Sequence, residues 1–309
     1  MDITAVAEEL LTMSRLGEAQ AEEYVARAVD PRYWSSLWSS ARLRPPLPSL
    51  SSSQVAYAAK NLEANGYFAL DRVIPIDTIT TVREQIDAVR AAGWPAVFAF
   101  LYDDAWQLYR SPAIQQIARA AVGDDAVQTG YFWAHFVPPI PEARGWTPHA
   151  DANLIHDPKR LTIWIAITEA TLDNGCIYVI PRHRLDAHAL GQFFDLEANF
   201  DRATTLRLLQ SSRALPAAAG SILGWEFTTV HWGSVVHRNV EIPRISISAE
   251  LIRDADLAAD EVRLPLDELP GFEARLRLIA NAMKTYVHWD MQLARFEPVV
   301  RRLLERGAA

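Results

Sequence analysis

From about residue 128 onward the chain breaks into short runs rich in β-branched and aromatic residues, each closed by turn residues. Residues 128–137, 161–168, 176–180, 221–228 and 245–251 all have this form, the pattern of partly buried strands. What precedes them reads as helix. Ile3, Val6, Leu10, Leu11 and Met13 recur at helical spacing within residues 2–29, and Pro31 stops that segment. Ser53 reads as the N-cap of a helix ending near Asn65, with Gly66 as its C-terminal cap. After a strand at 67–73, Asp77 is placed to cap a helix whose stripe Ile79, Val82, Ile86 and Val89 ends at Gly93. Residues 114–122 and 271–306 also read as helical. Helices first and many short strands afterwards predict a mainly β fold, an antiparallel barrel or double sheet with helices packed outside.

Residues 45–53, rich in Pro and Ser, form a linker by composition. Residues 1–55 are therefore expected to be a helical extension with its linker, and 56–309 the main domain with a C-terminal helix. Tyr33, Trp34, Leu37 and Trp38 form an aromatic cluster that packs the extension onto its own domain, a lid or dimer contact being the alternative.

A net charge of −8 argues against a sequence-independent nucleic-acid surface. Cys176 is the single cysteine, so there is no disulfide framework. Acids at Asp2, Glu8 and Glu9 do not suit a signal peptide, and no apolar run reaches membrane-spanning length. The expectation is a cytoplasmic protein with no membrane span; self-association stays open.

Trp146-Thr147-Pro148-His149-Ala150-Asp151 puts an imidazole and a carboxylate two residues apart, hence on one face of an extended segment. Together they make two-thirds of the 2-His-1-carboxylate set that holds a non-haem Fe(II) with open positions. Taken alone, His-x-Asp is common. The second histidine has two candidates. His231 closes an apolar run before a Gly-Ser turn and is favoured; His237 lies in the more polar part of the loop. The next strand opens with Arg244 and Ser246, again on one face. An arginine's planar fork matches a carboxylate in two-point contact and a hydroxyl adds a third bond, which suits the far carboxylate of 2-oxoglutarate.

The order His149-x-Asp151, His231, Arg244-x-Ser246 resembles Fe(II)/2-oxoglutarate-dependent dioxygenases of the phytanoyl-CoA dioxygenase (PhyH-like) type. Asn65-Gly66-Tyr67-Phe68-Ala69-Leu70 is similar to that family's opening strand, residues 161–181 to its central hairpin, and Gly220-Ser-Ile-Leu-Gly-Trp-Glu-Phe to the strand before the distal histidine. The likeness spans roughly residues 60–252. It implies a double-stranded β-helix (jelly-roll) core, iron held by His149, Asp151 and His231, and 2-oxoglutarate anchored by Arg244 with Ser246, Ser234 and Trp164. It also implies an enzyme that uses O2 to oxidise a C–H bond of a small molecule while releasing succinate and CO2. Because Asp151 is present, hydroxylation or another oxidation is expected rather than halogenation. Two departures stand out: Pro181-Arg182-His183-Arg184 replaces the usual Pro-Gly-Ser-His, and Trp232 separates His231 from Gly233-Ser234.

For the substrate, Trp133 and His135 share a strand face and could line the pocket or fill the barrel interior. Asn153 and His156 trail the metal motif. Arg182 and Arg184 suit an anionic substrate, or form a solvated basic turn. His188 and His288 read as surface or helix residues. Two other functions compete: a cupin-like metal enzyme with no use for 2-oxoglutarate, and a jelly-roll binding protein without metal.

Overall fold

In the computed structural model, residues 15–39, 46–151, 159–184, 202–237 and 240–306 are described. Asn153, His156 and His188 lie outside them. The chain divides into two units: 1–43, 84–106 and 268–309 form one, and 44–83 and 107–267 the other.

The first unit is helical. It holds α1 (Glu18–Ala28) and α2 (Pro31–Leu37), and near the C-terminus α8 (Phe272–Tyr286) and α9 (Glu297–Arg306). Pro31 ends one helix by opening another. It takes the first position of α2, where its missing N–H costs nothing, and Asp30 caps that helix by accepting from the Arg32 N–H at 2.9 Å. Trp34, buried, stacks on Phe98 with centroids 5.5 Å apart, and Trp94 donates its indole N–H to Tyr33 Oη at 2.9 Å. Arg275 ties α8 down by donating to the Leu101 carbonyl at 2.9 Å and pairing with Asp103 at 2.6 Å.

The second unit carries the strands. Its α3 (Ser52–Asn65) is capped by Ser51, not by Ser53: Ser51 Oγ accepts from the Gln54 N–H while Gln54 returns a bond to the Ser51 N–H. With three serines in a row, side-chain chemistry alone does not choose among them. Gly66 ends α3 in the left-handed region at φ 82°, a conformation that costs glycine least. The helix α4 (Ile76–Ala91), whose residues from 84 onward belong to the first unit, starts one residue before Asp77, which sits inside the first turn, and Ile79, Val82, Ile86 and Val89 are all buried. Two more helices follow, α5 (Asp103–Tyr109), which begins in the first unit, and α6 (Pro112–Ala121).

The strands β1 (Tyr67–Leu70), β2 (Ala126–Val137), β3 (Arg160–Ala166), β6 (Ile222–Glu226) and β8 (Arg244–Arg253) form one antiparallel sheet in the order β1-β6-β3-β8-β2. A second sheet, β5-β4-β7, is built from β4 (Ile177–Val179), β5 (Arg213–Leu215) and β7 (His231–Gly233), with α7 (Arg202–Ser211) just before β5. Trp164, Leu223 and Trp225 of the large sheet pack into one apolar cluster with Ile177, Val179 and Leu215 of the small one. Each such fully buried side chain contributes about 1.5–3 kcal/mol. The architecture is an open double sheet with flanking helices, the jelly-roll type, and not a closed barrel.

Register sets the inner face. Thr162 stands opposite both Trp225 and Glu250, Trp164 opposite Leu223 and Ser248, and Ser246 opposite both Ala166 and His135. Directly paired residues point to the same side, so Arg244, Ser246, Ser248 and Glu250 make a polar stripe along β8 on the face that carries Trp133, His135, Thr162, Trp164 and Trp225. Among the described residues, no helix is long and apolar enough to cross a membrane.

Candidate metal centre

His149 follows a turn and β7 begins at His231, yet the two form an isolated antiparallel bridge, each backbone N–H donating to the other's carbonyl. Their rings lie side by side with centroids 4.3 Å apart. Asp151 Oδ1 stands 3.7 Å from His149 Nε2 and 3.8 Å from His231 Nε2, and one ligand-type atom from each residue lies within 4.8 Å of the other two.

Both imidazoles are oriented by their far nitrogen. His149 Nδ1 meets the Thr147 carbonyl at 2.7 Å and His231 Nδ1 the Thr229 carbonyl at 3.0 Å. A carbonyl only accepts, so both rings carry a proton on Nδ1 and turn Nε2 toward Asp151 Oδ1. Burial and the neighbouring His231 lower the pKa of His149 to about 4, with Asp151 and the Thr147 carbonyl pulling the other way. A neutral imidazole is the form that binds a metal. The other carboxylate oxygen, Asp151 Oδ2, accepts from Thr162 Oγ1 at 2.8 Å and from Trp225 Nε1 at 3.1 Å.

Thr229 belongs to a second chain of contacts. Its hydroxyl donates to the Gly66 carbonyl at 2.9 Å, and that carbonyl also accepts from the Glu226 N–H at 2.9 Å.

Arg244 is 1% exposed, and its Nη1 donates to Ser246 Oγ at 3.1 Å. Among the described residues no carboxylate pairs with it, and its Nε has no partner. Burial lowers its pKa to about 10. Its Nη2 lies against two bare backbones: a Cβ added at Gly145 would come within 2.5 Å of it and one at Gly233 within 2.9 Å. The strand pairing that holds His231 thus also holds the roof over the guanidinium.

The remaining expected residues separate clearly. Trp133 and Trp164 are buried on the inner face, and the indole N–H of Trp164 has no partner among the described residues. His135 Nε2 is 3.0 Å from Ser248 Oγ, and the ring meets Trp146 edge-on at 4.9 Å. Burial first, then Arg244 and the two histidines, push its pKa well below the usual value. Ser234 is fixed by its backbone, its N–H donating to the Cys176 carbonyl at 3.0 Å, while Ser246 is the hydroxyl that meets Arg244. Trp232 turns to the other side of β7 and stacks on Tyr178 at 5.5 Å, so its insertion leaves His231 facing inward. His237 is exposed, outside the cluster. Arg182 has partners within the fold. It donates to the Leu62 carbonyl at 2.6 Å, capping the end of α3, and pairs with Glu226 at 3.0 Å. Arg184 is exposed on the same short turn.

Sequence reasoning missed the parts played by Thr162, Trp225, Gly145 and Thr229. The usable signal for the first two was alternation, which puts Thr162 on the face of Trp164.

No curated protein matches the sequence. Several solved structures share the fold. The non-haem α-ketoglutarate-dependent epimerase SnoN from nogalamycin biosynthesis is 19% identical, with 72% of this chain and 89% of that chain covered at a TM-score of 0.52. SnoN in complex with Fe3+, α-ketoglutarate and nogalamycin RO is also 19% identical, with coverage of 72% and 92% and a TM-score of 0.50. The non-haem monooxygenase ThoJ, as its nickel complex, is 15% identical, with coverage of 76% and 98% and a TM-score of 0.51. At these identities the likeness is one of fold. Residues 101–237 match the family model for phytanoyl-CoA dioxygenase (PhyH). That segment, somewhat under half of the chain, contains His149, Asp151 and His231 together and is what this chain shares with the phytanoyl-CoA dioxygenase family.

Proposed function

We propose that the protein oxidises a C–H bond of a small molecule, by hydroxylation in the first instance, using Fe(II), 2-oxoglutarate and O2. His149, Asp151 and His231 hold the iron, and Arg244 with Ser246 receives the distal carboxylate of 2-oxoglutarate. The observation that carries this reading is a fully buried guanidinium that has no counter-ion among the described residues, beside a cluster of two imidazoles and a carboxylate. A buried charge is costly unless paired, and a dicarboxylate that also reaches the cluster supplies the missing partner.

The donor set fits a divalent first-row ion. With Asp151 Oδ1 3.7 and 3.8 Å from the two Nε2 atoms, one such ion could be held by His149, Asp151 and His231 together. The iron supplies the activation of O2. The chain's own residues orient and exclude: the Thr147 and Thr229 carbonyls orient the imidazoles, Arg244 would receive the far carboxylate of the co-substrate, and the buried aromatic walls Trp133 and Trp164 keep bulk water from the interior. His135, held neutral by its surroundings, adds a hydrogen-bonding group to that wall without adding charge. A cupin-like enzyme that ignores 2-oxoglutarate has no role for Arg244. A reducing, cytoplasmic setting suits the lone buried Cys176, whose thiol burial pushes up to about 11.

The test is anaerobic addition of Fe(II) and 2-oxoglutarate, read by the visible charge-transfer absorption that chelation by a 2-oxo acid gives ferrous iron. A metabolite screen for succinate formation above the uncoupled rate follows, with product masses distinguishing oxygen insertion from epimerisation or ring closure. Iron binding without any response to 2-oxoglutarate would overturn the proposal.

A further inference from the structure

Thr162 on β3 and Trp225 on β6 are direct cross-strand partners, so their side chains rise from one row of the inner face. They end on the same atom. Thr162 Oγ1 and Trp225 Nε1 both donate to Asp151 Oδ2, at 2.8 and 3.1 Å, and the opposite oxygen, Oδ1, is the one that faces both imidazoles. An ionised carboxylate can offer either oxygen or both. Two donors on Oδ2 stop the group rotating and leave Oδ1 as the atom on offer. Trp225 does a second thing: its ring lies against that of His231, centroids 4.4 Å apart and planes inclined by 38°. One indole therefore touches two members of the cluster, from a position 3% exposed.

We propose that Thr162 and Trp225 are the positioning residues of the metal centre: they hold Asp151 as a one-oxygen ligand, and Trp225 also fixes the plane of His231. This rests on reading the cluster as a metal site. If Trp225 served only to fill space, phenylalanine would do nearly as well, and if Thr162 served only its strand, valine would suit it better.

The experiment is titration of the full-length protein with Co(II), followed by the d–d absorption of the bound ion and its dissociation constant. Thr162→Val and Trp225→Phe should each weaken binding about 10–100-fold, the usual effect of removing a group that orients a ligand, and should alter the band shape. Thr162→Ser, which keeps the hydroxyl, should stay within a few-fold of the unmodified protein. Metal-free melting curves near that of the unmodified protein show that the variants fold; should Trp225→Phe fail to fold, Thr162→Val with its serine control decides alone. Variants that bind Co(II) as tightly and with the same spectrum overturn the proposal while leaving the metal centre intact. Failure of the unmodified protein to bind Co(II) overturns the metal reading itself, and this proposal with it.

Discussion

His149 and His231 exchange backbone hydrogen bonds in both directions, 3.0 Å one way and 2.8 Å the other. The pairing of their main chains, and not any contact between their rings, brings the two imidazoles to one place, since partners across such a bridge project to the same side. Replacing either side chain with alanine leaves the bridge in place. His149→Ala and His231→Ala should each cost the metal-free fold about 1–2 kcal/mol and abolish the rise in melting temperature on adding metal. His237→Ala should do neither. Loss of metal response in His237→Ala with retention in His231→Ala would show that the distal ligand is misassigned.

Arg244 carries opposite burdens with and without ligand. Burial lowers its pKa to about 10, which corresponds to a cost on the order of 3 kcal/mol at neutral pH. Arg244→Met, similar in length and uncharged, should therefore raise the melting temperature of the ligand-free protein. The same variant should lose stabilisation by 2-oxoglutarate, with affinity down about 100-fold or more. Calorimetric titration and melting curves check both halves, and a variant that is less stable and still binds the co-substrate contradicts the assignment.

Gly145 is the roof over that guanidinium. A methyl group there would sit 2.5 Å from Arg244 Nη2 and 2.9 Å from the Gly233 Cα, against a backbone with little room to retreat. Gly145→Ala is expected to weaken 2-oxoglutarate binding at least 10-fold and to change Co(II) affinity much less. Equal losses in both would mean that the methyl group disrupts the whole loop.

Acid should unfold the metal-free protein partly through His149. Its folded pKa, about 4, lies below the unfolded value of about 6.5. Between those values the unfolded chain binds a proton that the folded one refuses, so stability falls as pH drops from 6.5 toward 4 and is unaffected above that window. His149→Gln should flatten this slope by an amount on the order of 2 kcal/mol across the window. Denaturant midpoints at pH 7 and pH 4.5 give the comparison, and an unchanged slope assigns the titration elsewhere.

Arg182 is held on three sides by the fold. With its guanidinium on the Leu62 and Glu63 carbonyls and on Glu226, Arg182→Ala should destabilise the fold by about 1 kcal/mol. Coupled succinate formation at saturating substrate should stay unchanged. A large rise in KM with no change in stability would restore it to the substrate.

What could be read in advance followed periodicity. The buried stripe of α4 and the long strands show in the sequence because their alternation outlasts chance, and the Arg244/Ser246 pair shows because two residues on one face need only one strand. Strands β5 and β7, three residues each, are too short to display alternation and exist because β4 lies between them. The choice of Ser51 over Ser53 was invisible for the reason given by the fold: local chemistry is equal, and tertiary packing breaks the tie. Trp225 looked like any strand aromatic, because the worth of its N–H depends on a carboxylate brought in from a loop 74 residues away. Arg182 is the opposite case, a charge on a turn whose partners include main-chain carbonyls that no side-chain pattern advertises.

The Gly66 carbonyl, which receives both the Glu226 amide and the Thr229 hydroxyl, makes the tail of α3 a datum from which the distal imidazole is surveyed. Thr229 is moored to that carbonyl, and its own carbonyl in turn sets the tilt of His231. Damage to the helix terminus would then be felt at His231 in a molecule whose His149, Asp151 and His231 side chains are all still present.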